Sequence, residues 1–210
     1  MHSSRERILA HLKRDPGSSV ETLAQTLDLA PMTIRQHLAN MAAEGLLEAE
    51  TQRRPTGRPA YVYSLTAKGK EWFPKAYDRL AAVLLEDATS AEAEDLSGLP
   101  PDERQARFFR RIAARAADAH RAQLDGLHGQ ERVEAVVAIL RDESGFTELT
   151  LNGNSAEILE YNCVYQRVAE GHNEVCTFHT EYVSQLVAAP VELEACQCNG
   201  ATACRFRIVR

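Results

Sequence analysis

Long apolar runs are missing from this 210-residue sequence, and so are the local motifs of several common enzyme classes. No stretch approaches the roughly 20 apolar residues that are needed to span a bilayer. The first residues, Met1 to Glu6, carry no apolar segment typical of a signal peptide, so we expect a cytoplasmic protein. Because no glycine-rich nucleotide loop and no nucleophile–base motif is present, we expect no enzymatic activity.

Cysteine is absent from the first 162 residues, whereas five cysteines occur in the last 48. No two of them form the C-x2-C motif, with two residues between the cysteines, that zinc ribbons and ferredoxin loops use. The sequence therefore argues against both classes of site. Ligands spread over about 40 residues must be gathered by a folded domain, so we expect metal binding and folding to be coupled. In a cytosolic chain such a cluster favours metal binding or redox chemistry over structural disulfides. The five thiols are Cys163, Cys176, Cys196, Cys198 and Cys204.

Positive charge is scarce overall, since the net charge is -6, but the charges are unevenly distributed. Residues 1–75 hold 11 Lys and Arg against 8 Asp and Glu, whereas residues 76–210 hold 13 against 22. A mildly basic segment joined to an acidic one fits a DNA-binding domain attached to a second domain.

The first 45 residues carry the pattern of three short helices. A capping box at Ser3-x-x-Glu6 predicts the start of the first helix, and Ser18-x-x-Glu21 predicts the start of the second. Pro31 suits the first turn of the third helix, which Gly45 ends as a left-handed cap. Two helices joined by a tight turn are a helix-turn-helix, whose last helix enters the major groove of DNA. Its predicted DNA-contacting side chains are Thr33, Arg35, Gln36, His37 and Asn40.

A basic loop follows between two strand-like runs, residues 46–50 and 61–65. It carries Arg53, Arg54 and Arg58 together with Pro and Gly residues, which predicts a β-hairpin wing whose guanidinium groups contact phosphates or a narrow minor groove. The sequence therefore predicts a winged helix-turn-helix DNA-binding domain over residues 1–70. The order of these elements resembles the winged-helix domains of bacterial ArsR-like and DeoR-like regulators.

Helices are predicted for the middle of the chain, residues 71–128, with a loop of small and acidic residues over 88–102. One helix is expected over 67–87, near or across Pro74, and a long amphipathic helix over 103–127. Small winged-helix domains bind two-fold operators as dimers. We therefore expect a homodimer on double-stranded DNA, with these helices as the dimerisation region.

Residues 129–210 predict a small α+β domain, which makes the whole chain α+β. Helical periodicity and alternating apolar residues mark its elements, and turns are expected at Asn152-Gly153-Asn154 and Asn199-Gly200. The thiols fall at the ends of elements and in turns. The predicted helices are 130–143, 164–170 and 174–188, and the predicted strands are 146–151, 156–161, 191–196 and 203–209.

The C-terminal cysteines lie in a pattern that resembles the SufR family, winged-helix repressors of iron–sulfur assembly operons that carry a [4Fe–4S] cluster. The matching segments are Asn162-Cys163, Val168-Ala169-Glu170, Glu174-Val175-Cys176, Ala189-Pro190-Val191-Glu192 and Cys196-x3-Gly200-x3-Cys204-Arg205-Phe206-Arg207-Ile208. The resemblance implies that Cys163, Cys176 and Cys204 are cluster ligands. Cys196 and Cys198 both suit the position of the fourth ligand, and we predict Cys196, with Cys198 as the alternative.

Other interpretations of the cysteines remain open. Soft thiolates also bind zinc or copper(I), so a zinc-sensing or thiol-redox regulator without a cluster is the main alternative. A catalytic use of the C-terminal domain is a further possibility, and so is a small-molecule sensor whose cysteines are structural. His172 and His179 are candidate ligands in addition to the thiols, although a solvated or core role is commoner for such histidines.

Overall fold

The computed structural model describes residues 3–52, 59–90, 98–152 and 155–209. The chain forms two compact units, Met1–Phe73 and Pro74–Arg210. The predicted wing arginines Arg53, Arg54 and Arg58 lie outside the described residues. No helix among the described residues is long and apolar enough to cross a membrane.

Among its described residues, the first unit contains four helices and a three-stranded antiparallel sheet, in which β3 (Ala60–Leu65) lies between β1 (Ser18–Ser19) and β2 (Leu47–Gln52). The capping box predicted at Ser3 and Glu6 opens the first helix, and Gly45 has the left-handed φ of +75° expected of a helix-ending cap. The core joins all three long helices through Ile8, Leu12, Leu23, Ile34, Leu38 and Met41. The elements are α1 (Ser4–Arg14), β1 (Ser18–Ser19), α2 (Val20–Leu27), α3 (Pro31–Ala43), β2 (Leu47–Gln52), β3 (Ala60–Leu65) and α4 (Ala67–Lys70).

The predicted start of the second helix is wrong by one residue. Ser19 is the capping residue, because its Oγ accepts a hydrogen bond from the Thr22 backbone N–H at 3.2 Å. Ser18 instead pairs with Tyr63 as part of β1. This short strand was not predicted, because two consecutive serines carry no strand pattern.

Among its described residues, the second unit contains six helices and a four-stranded antiparallel sheet, whose strands lie in the order β4 (Thr147–Asn152), β5 (Ser155–Glu160), β7 (Cys204–Ile208) and β6 (Val191–Ala195). Helix α6 (Pro101–Asp118) packs along α10 (Glu174–Val187), and the sheet is contacted by α10 at β6 and by α8 (Gly129–Ser144) at β4. All four strands predicted for this region are present, within one or two residues at each end. The elements are α5 (Tyr77–Thr89), α6 (Pro101–Asp118), α7 (Arg121–Leu124), α8 (Gly129–Ser144), β4 (Thr147–Asn152), β5 (Ser155–Glu160), α9 (Gln166–Ala169), α10 (Glu174–Val187), β6 (Val191–Ala195) and β7 (Cys204–Ile208).

Two predicted long helices are each broken in the structure. The helix expected over 67–87 is interrupted between α4 and α5, because Pro74 lacks a backbone N–H and disfavours helical backbone in the residue before it. The helix expected over 103–127 starts two residues earlier and is interrupted after Asp118. The break divides it into α6 and α7, although no Pro or Gly marks the position.

Gly69 allows α4 to approach the turn that follows α3. A Cβ atom at this position would lie 2.1 Å from the Leu46 carbonyl oxygen and 3.2 Å from the Leu65 side chain. Because that carbonyl already accepts the Thr66 N–H at 3.0 Å, neither backbone segment can move without losing a hydrogen bond. The close approach therefore requires glycine, even though its φ is not left-handed.

We expect Gly69→Ala to destabilise the first unit by about 2–3 kcal/mol through this overlap. Chemical unfolding followed by the fluorescence of Trp72, the single tryptophan of the chain, would measure it. Gly171→Ala is the matched control, since a Cβ there meets nothing within 4 Å. Equal stability of Gly69→Ala and the parent chain would show that the Leu46 carbonyl yields freely, contrary to this account.

Candidate metal centre and DNA-binding surface

Helix α3 presents a polar surface on the side opposite its core residues. Four of the five predicted DNA-contacting side chains are exposed, and His37 is half-buried. Gln36 Nε2 donates a hydrogen bond to Asn40 Oδ1 at 3.0 Å, which fixes the relative orientation of the two amides. The exposed four are Thr33, Arg35, Gln36 and Asn40.

Two exposed apolar side chains in the first unit were missed by the sequence analysis. Met32, in the first turn of α3, is 71% exposed, and Tyr61, on β3, is 62% exposed. Neither was predicted as a DNA contact, because that prediction was based on polar and charged side chains. Tyr61 lines a cavity of about 450 Å³ together with Arg35 of α3 and Pro59, the residue before β3.

The five cysteines lie at five different places in the second unit. Cys163 follows β5, and Cys176 lies in the first turn of α10. Cys196 directly follows β6, Cys198 lies in a short 3-10 turn (Gln197–Asn199), and Cys204 begins β7. The antiparallel pairing of β5 with β7 places Cys204 directly opposite Glu160, three residues before Cys163. Strand pairing and the packing of α10 on β6 thus bring the distant thiols to one end of the sheet.

Four of the thiols line one small cavity of about 20 Å³. They are the four predicted ligands, Cys163, Cys176, Cys196 and Cys204. Cys198 is not among the described residues that line the cavity, yet it lies close to two that do. The remaining wall is mainly apolar and includes Val164, Tyr165, Val175, Leu193 and Phe206.

The sulfur atoms make a compact group. Cys176 Sγ lies 3.5 Å from Cys196 Sγ and 3.6 Å from Cys198 Sγ, and the last two sulfurs are 2.6 Å apart. Four thiolates around a single ion, with metal–sulfur bonds of about 2.3 Å, would place sulfur atoms about 3.8 Å apart. The donor set therefore suits a soft metal, and a larger iron–sulfur core requires the side chains to rotate outward.

Hydrogen bonds among the thiols concentrate negative charge on one sulfur. The pKa of Cys196 is lowered to about 4, because the S–H group of Cys204, and then those of Cys198 and Cys176, donate to its thiolate. Burial raises the pKa of Cys163 to about 11. The pKa values of Cys176 and Cys198 are raised by burial first, and that of Cys204 is raised by its hydrogen bond to Cys196. Because metals bind thiolates, occupation of this site releases protons.

The side chain of Gln197 joins the two segments that carry Cys163 and Cys204. Its Oε1 accepts the Cys163 backbone N–H at 2.9 Å, and its Nε2 donates to the carbonyls of Tyr161 and Thr202, both at 2.8 Å. Its own backbone N–H points at Cys204 Sγ, 3.4 Å away. Gln197, which lies between Cys196 and Cys198 in the chain, therefore positions Cys163 and Cys204. No spacing rule in the sequence indicated this role.

Asn162 anchors the same segment from the opposite side. Its side-chain amide is buried and donates to the carbonyls of Pro74 and Ser144 at 2.9 and 3.0 Å. The ammonium group of Lys75 donates to Asn162 Oδ1 at 3.3 Å and to the Cys163 carbonyl at 3.0 Å. Lys75 thereby places a positive charge beside a site whose ligands are anionic when they bind metal.

The two candidate histidines differ sharply in their surroundings. His179 lines the cysteine cavity, and its Nε2 lies 2.6 Å from Glu160 Oε2. Its Nδ1 has no hydrogen-bond partner among the described residues. His172 is 76% exposed in its side chain and lies 4.0 Å from Glu174 Oε2, away from the sulfur atoms that line the cavity. Neither histidine contributes an atom to the compact sulfur group.

Residues 1–48 match a family model described as winged helix-turn-helix DNA-binding. No curated protein matches the chain in sequence. Three solved structures were compared with it: NMB1585, a MarR family regulator from Neisseria meningitidis, the PcaV transcriptional regulator from Streptomyces coelicolor with its natural ligand, and Bacillus subtilis PadR with operator DNA.

The three structures share little sequence with the chain. NMB1585 is 18% identical over 58% of this chain and 78% of its own, with a TM-score of 0.29. PcaV is 27% identical over 57% and 76%, with a TM-score of 0.30. PadR is 16% identical over 88% and 95%, also with a TM-score of 0.30. The family match over residues 1–48 and the observed helices and strands identify the fold of the first unit. The N-terminal unit is a winged helix-turn-helix DNA-binding domain.

Proposed function

We propose that this protein is a DNA-binding transcription regulator whose operator affinity is switched by a [4Fe–4S] cluster bound through Cys163, Cys176, Cys196 and Cys204. The proposal includes repression of iron–sulfur assembly genes, a target suggested by the resemblance of the cysteine pattern to SufR. One observation carries it. Four thiols separated by as many as 40 residues line a single cavity beside an apolar wall.

Geometry and donor chemistry support a bound metal group in this cavity. Thiolates are the ligands of iron–sulfur clusters, and the four cysteines belong to the loop after β5, helix α10, the end of β6 and the start of β7. When bound, a cluster supplies a removable cross-link between these four segments. Gln197 and Asn162 hold the loop that carries Cys163, and the apolar wall limits the access of water to the sulfur atoms.

Regulation follows if the cross-link stabilises the arrangement of the protein that binds DNA. We propose a homodimer in the cytoplasm, formed through helices in the region 71–128, that places two α3 helices at half-sites about 10 bp, or a multiple of that, apart. Loss of the cross-link loosens the cysteine end of the sheet and misaligns the DNA-binding units. A change of about 2.7 kcal/mol between the two states suffices for a hundredfold difference in operator affinity.

Anaerobic purification followed by visible spectroscopy and by iron, sulfide and zinc analysis tests the cluster. A brown protein with near-equal iron and acid-labile sulfide, bleached by air, is the expected result. Binding to the operator is then compared for cluster-bound and cluster-free protein. Equal affinities would contradict the switch, while leaving the assignment of the DNA-binding domain intact.

Zinc is the second candidate, and two of the three short sulfur separations favour it. Distances of 3.5 and 3.6 Å between Cys176 and its two neighbours are close to the spacing of thiolates around one tetrahedral ion. A colourless protein that contains one zinc per chain, and that remains free of iron after attempted reconstitution, would select this function. A colourless protein without metal would point to a thiol-redox switch.

We expect Gln197→Ala to weaken metal binding by about 10–100-fold without removing any ligand, because outer-shell partners of metal ligands have effects of this size. The substitution leaves the Cys163 N–H and two carbonyls without their present partner. Competition with a chromophoric chelator measures the affinity. Gln185→Ala, at a position on α10 away from the cavity, is the control, and equal affinities of both variants would argue against a positioning role for Gln197.

A further inference from the structure

Met32 is the most exposed of the large apolar side chains among the described residues, with 71% of its surface accessible. It occupies the second position of α3, immediately after Pro31. At about 100° per residue around the helix, Met32 lies roughly opposite Ile34 and Met41, the residues that α3 buries in the core. Its side chain therefore lies near the centre of the outward face of the helix. Exposure of this apolar side chain to water is unfavourable.

Gln36 follows one turn later on the same face, and its partner Asn40 one turn after that. The hydrogen bond from Gln36 Nε2 to Asn40 Oδ1 uses one N–H of Gln36 and leaves its carbonyl oxygen and second N–H for another partner. One acceptor and one donor side by side match the N6 donor and N7 acceptor that adenine presents in the major groove. The outward face thus combines an apolar contact with an amide suited to adenine.

Thymine carries the one apolar group that the bases expose in the major groove, its C5-methyl group. Methionine is flexible and polarizable, so it adapts to such a contact. We propose that Met32 packs against the C5-methyl group of thymine and that Gln36, oriented by Asn40, reads adenine, so that α3 selects A·T base pairs. This inference rests on the proposed DNA-binding function, with α3 as the helix in the major groove.

Replacement of thymine by uracil tests the contact, because it removes only the methyl group. DNA that binds the full chain, purified without oxygen, is first selected from a random duplex library. Each thymine of the selected site is then replaced in turn by deoxyuridine. We expect one position per half-site to lose about fourfold in affinity, the effect of one buried methyl group.

Variants of the full chain connect the methyl group to Met32. Met32→Ala is expected to bind thymine and uracil sites equally, whereas Met32→Leu keeps the preference. Thr26→Ser removes a methyl group from an exposed residue of α2 that is not among the predicted DNA contacts, and it serves as the matched control, which is expected to keep the preference. All three substitutions are at solvent-exposed positions, so circular dichroism is expected to show unchanged folding.

Each other outcome has a definite meaning. Selected sites without thymine, equal affinity of the parent chain for thymine and uracil, or a preference that survives Met32→Ala would overturn the inference. Failure of the full chain to enrich any DNA sequence would overturn the proposed function itself, and the two failures are thereby distinguished.

Discussion

Cys176→Ser is expected to abolish metal binding and to lower operator affinity about 100-fold. Cys176 Sγ lies within 3.6 Å of the sulfur atoms of Cys196 and Cys198, and Cys176 lines the cavity. A serine hydroxyl is a poor ligand for soft metals, so the cross-link between α10 and the rest of the site is lost. Visible absorbance and metal content of anaerobically purified protein measure the first effect, and titration of labelled operator DNA measures the second.

Cys198→Ser is the matched control for this prediction. Cys198 is as close to Cys176 as Cys196 is, but it is not among the described residues that line the cavity. We therefore expect Cys198→Ser to retain metal and operator affinity, and Cys196→Ser to lose both. The reverse pattern would identify Cys198 as the fourth ligand, and full retention of metal by Cys176→Ser would refute the proposed site.

Asp87→Asn is expected to destabilise the second unit by about 3 kcal/mol, the size of effect found when one partner of a buried ion pair is removed. The Asp87 carboxylate is buried, with a side chain 5% exposed, and accepts two hydrogen bonds from Arg111 at 2.7 and 2.8 Å. Arg115 lies 3.8 Å away. Because Asp87 belongs to α5 and both arginines to α6, the variant leaves two cations facing a neutral amide between these helices.

The effect of this substitution depends on pH in a defined direction. The hydrogen bond from Arg111 holds the pKa of Asp87 below its usual value. The stabilisation from the pair is therefore complete above about pH 4, the pKa of an unfolded aspartate, and is lost as the pH falls through the lower pKa of the folded state. Urea unfolding followed by circular dichroism at several pH values would show parent and variant converging in acid.

Glu86→Gln provides the comparison for Asp87→Asn. Glu86 is the neighbouring residue on α5 and is exposed, so a change within about 0.5 kcal/mol is expected. If Asp87→Asn were no more destabilising than Glu86→Gln at neutral pH, the ion pair would contribute nothing measurable to the packing of α5 on α6.

The elements that were predicted correctly are those whose signals are local. Capping at Ser3, the left-handed glycine at position 45 and alternating apolar residues in β5 each depend on neighbouring residues alone. The break after Asp118 was not predicted, because nothing nearby in the sequence marks it. At Pro74 one continuous helix was predicted, whereas the structure has a break between α4 and α5. In both cases helical periodicity continues in the sequence beyond the point where the backbone hydrogen bonds stop.

The candidate metal site was only partly accessible from the sequence. Clustering of the cysteines near the C-terminus indicated a site, but spacing does not give the direction of a side chain. Cys196 and Cys198 are two residues apart, and the structure brings both sulfurs near Cys176 while only Cys196 lines the cavity. Gln197 was not predicted at all, because its role depends on contacts with Tyr161 and Cys163, more than 30 residues away.

The place of β7 in its sheet sets the order in which the cysteine site can be completed during synthesis. β7 follows β5 and β6 in the chain but lies between them, and it is the described strand to which β6 is hydrogen-bonded. While the ribosome is still adding residues 196–208, β4 and β5 can form a hairpin, but β6 has no strand beside it. Cys204 enters the site only as β7 is inserted. Under the proposed function, the four-cysteine site is therefore complete only after translation has passed the last strand.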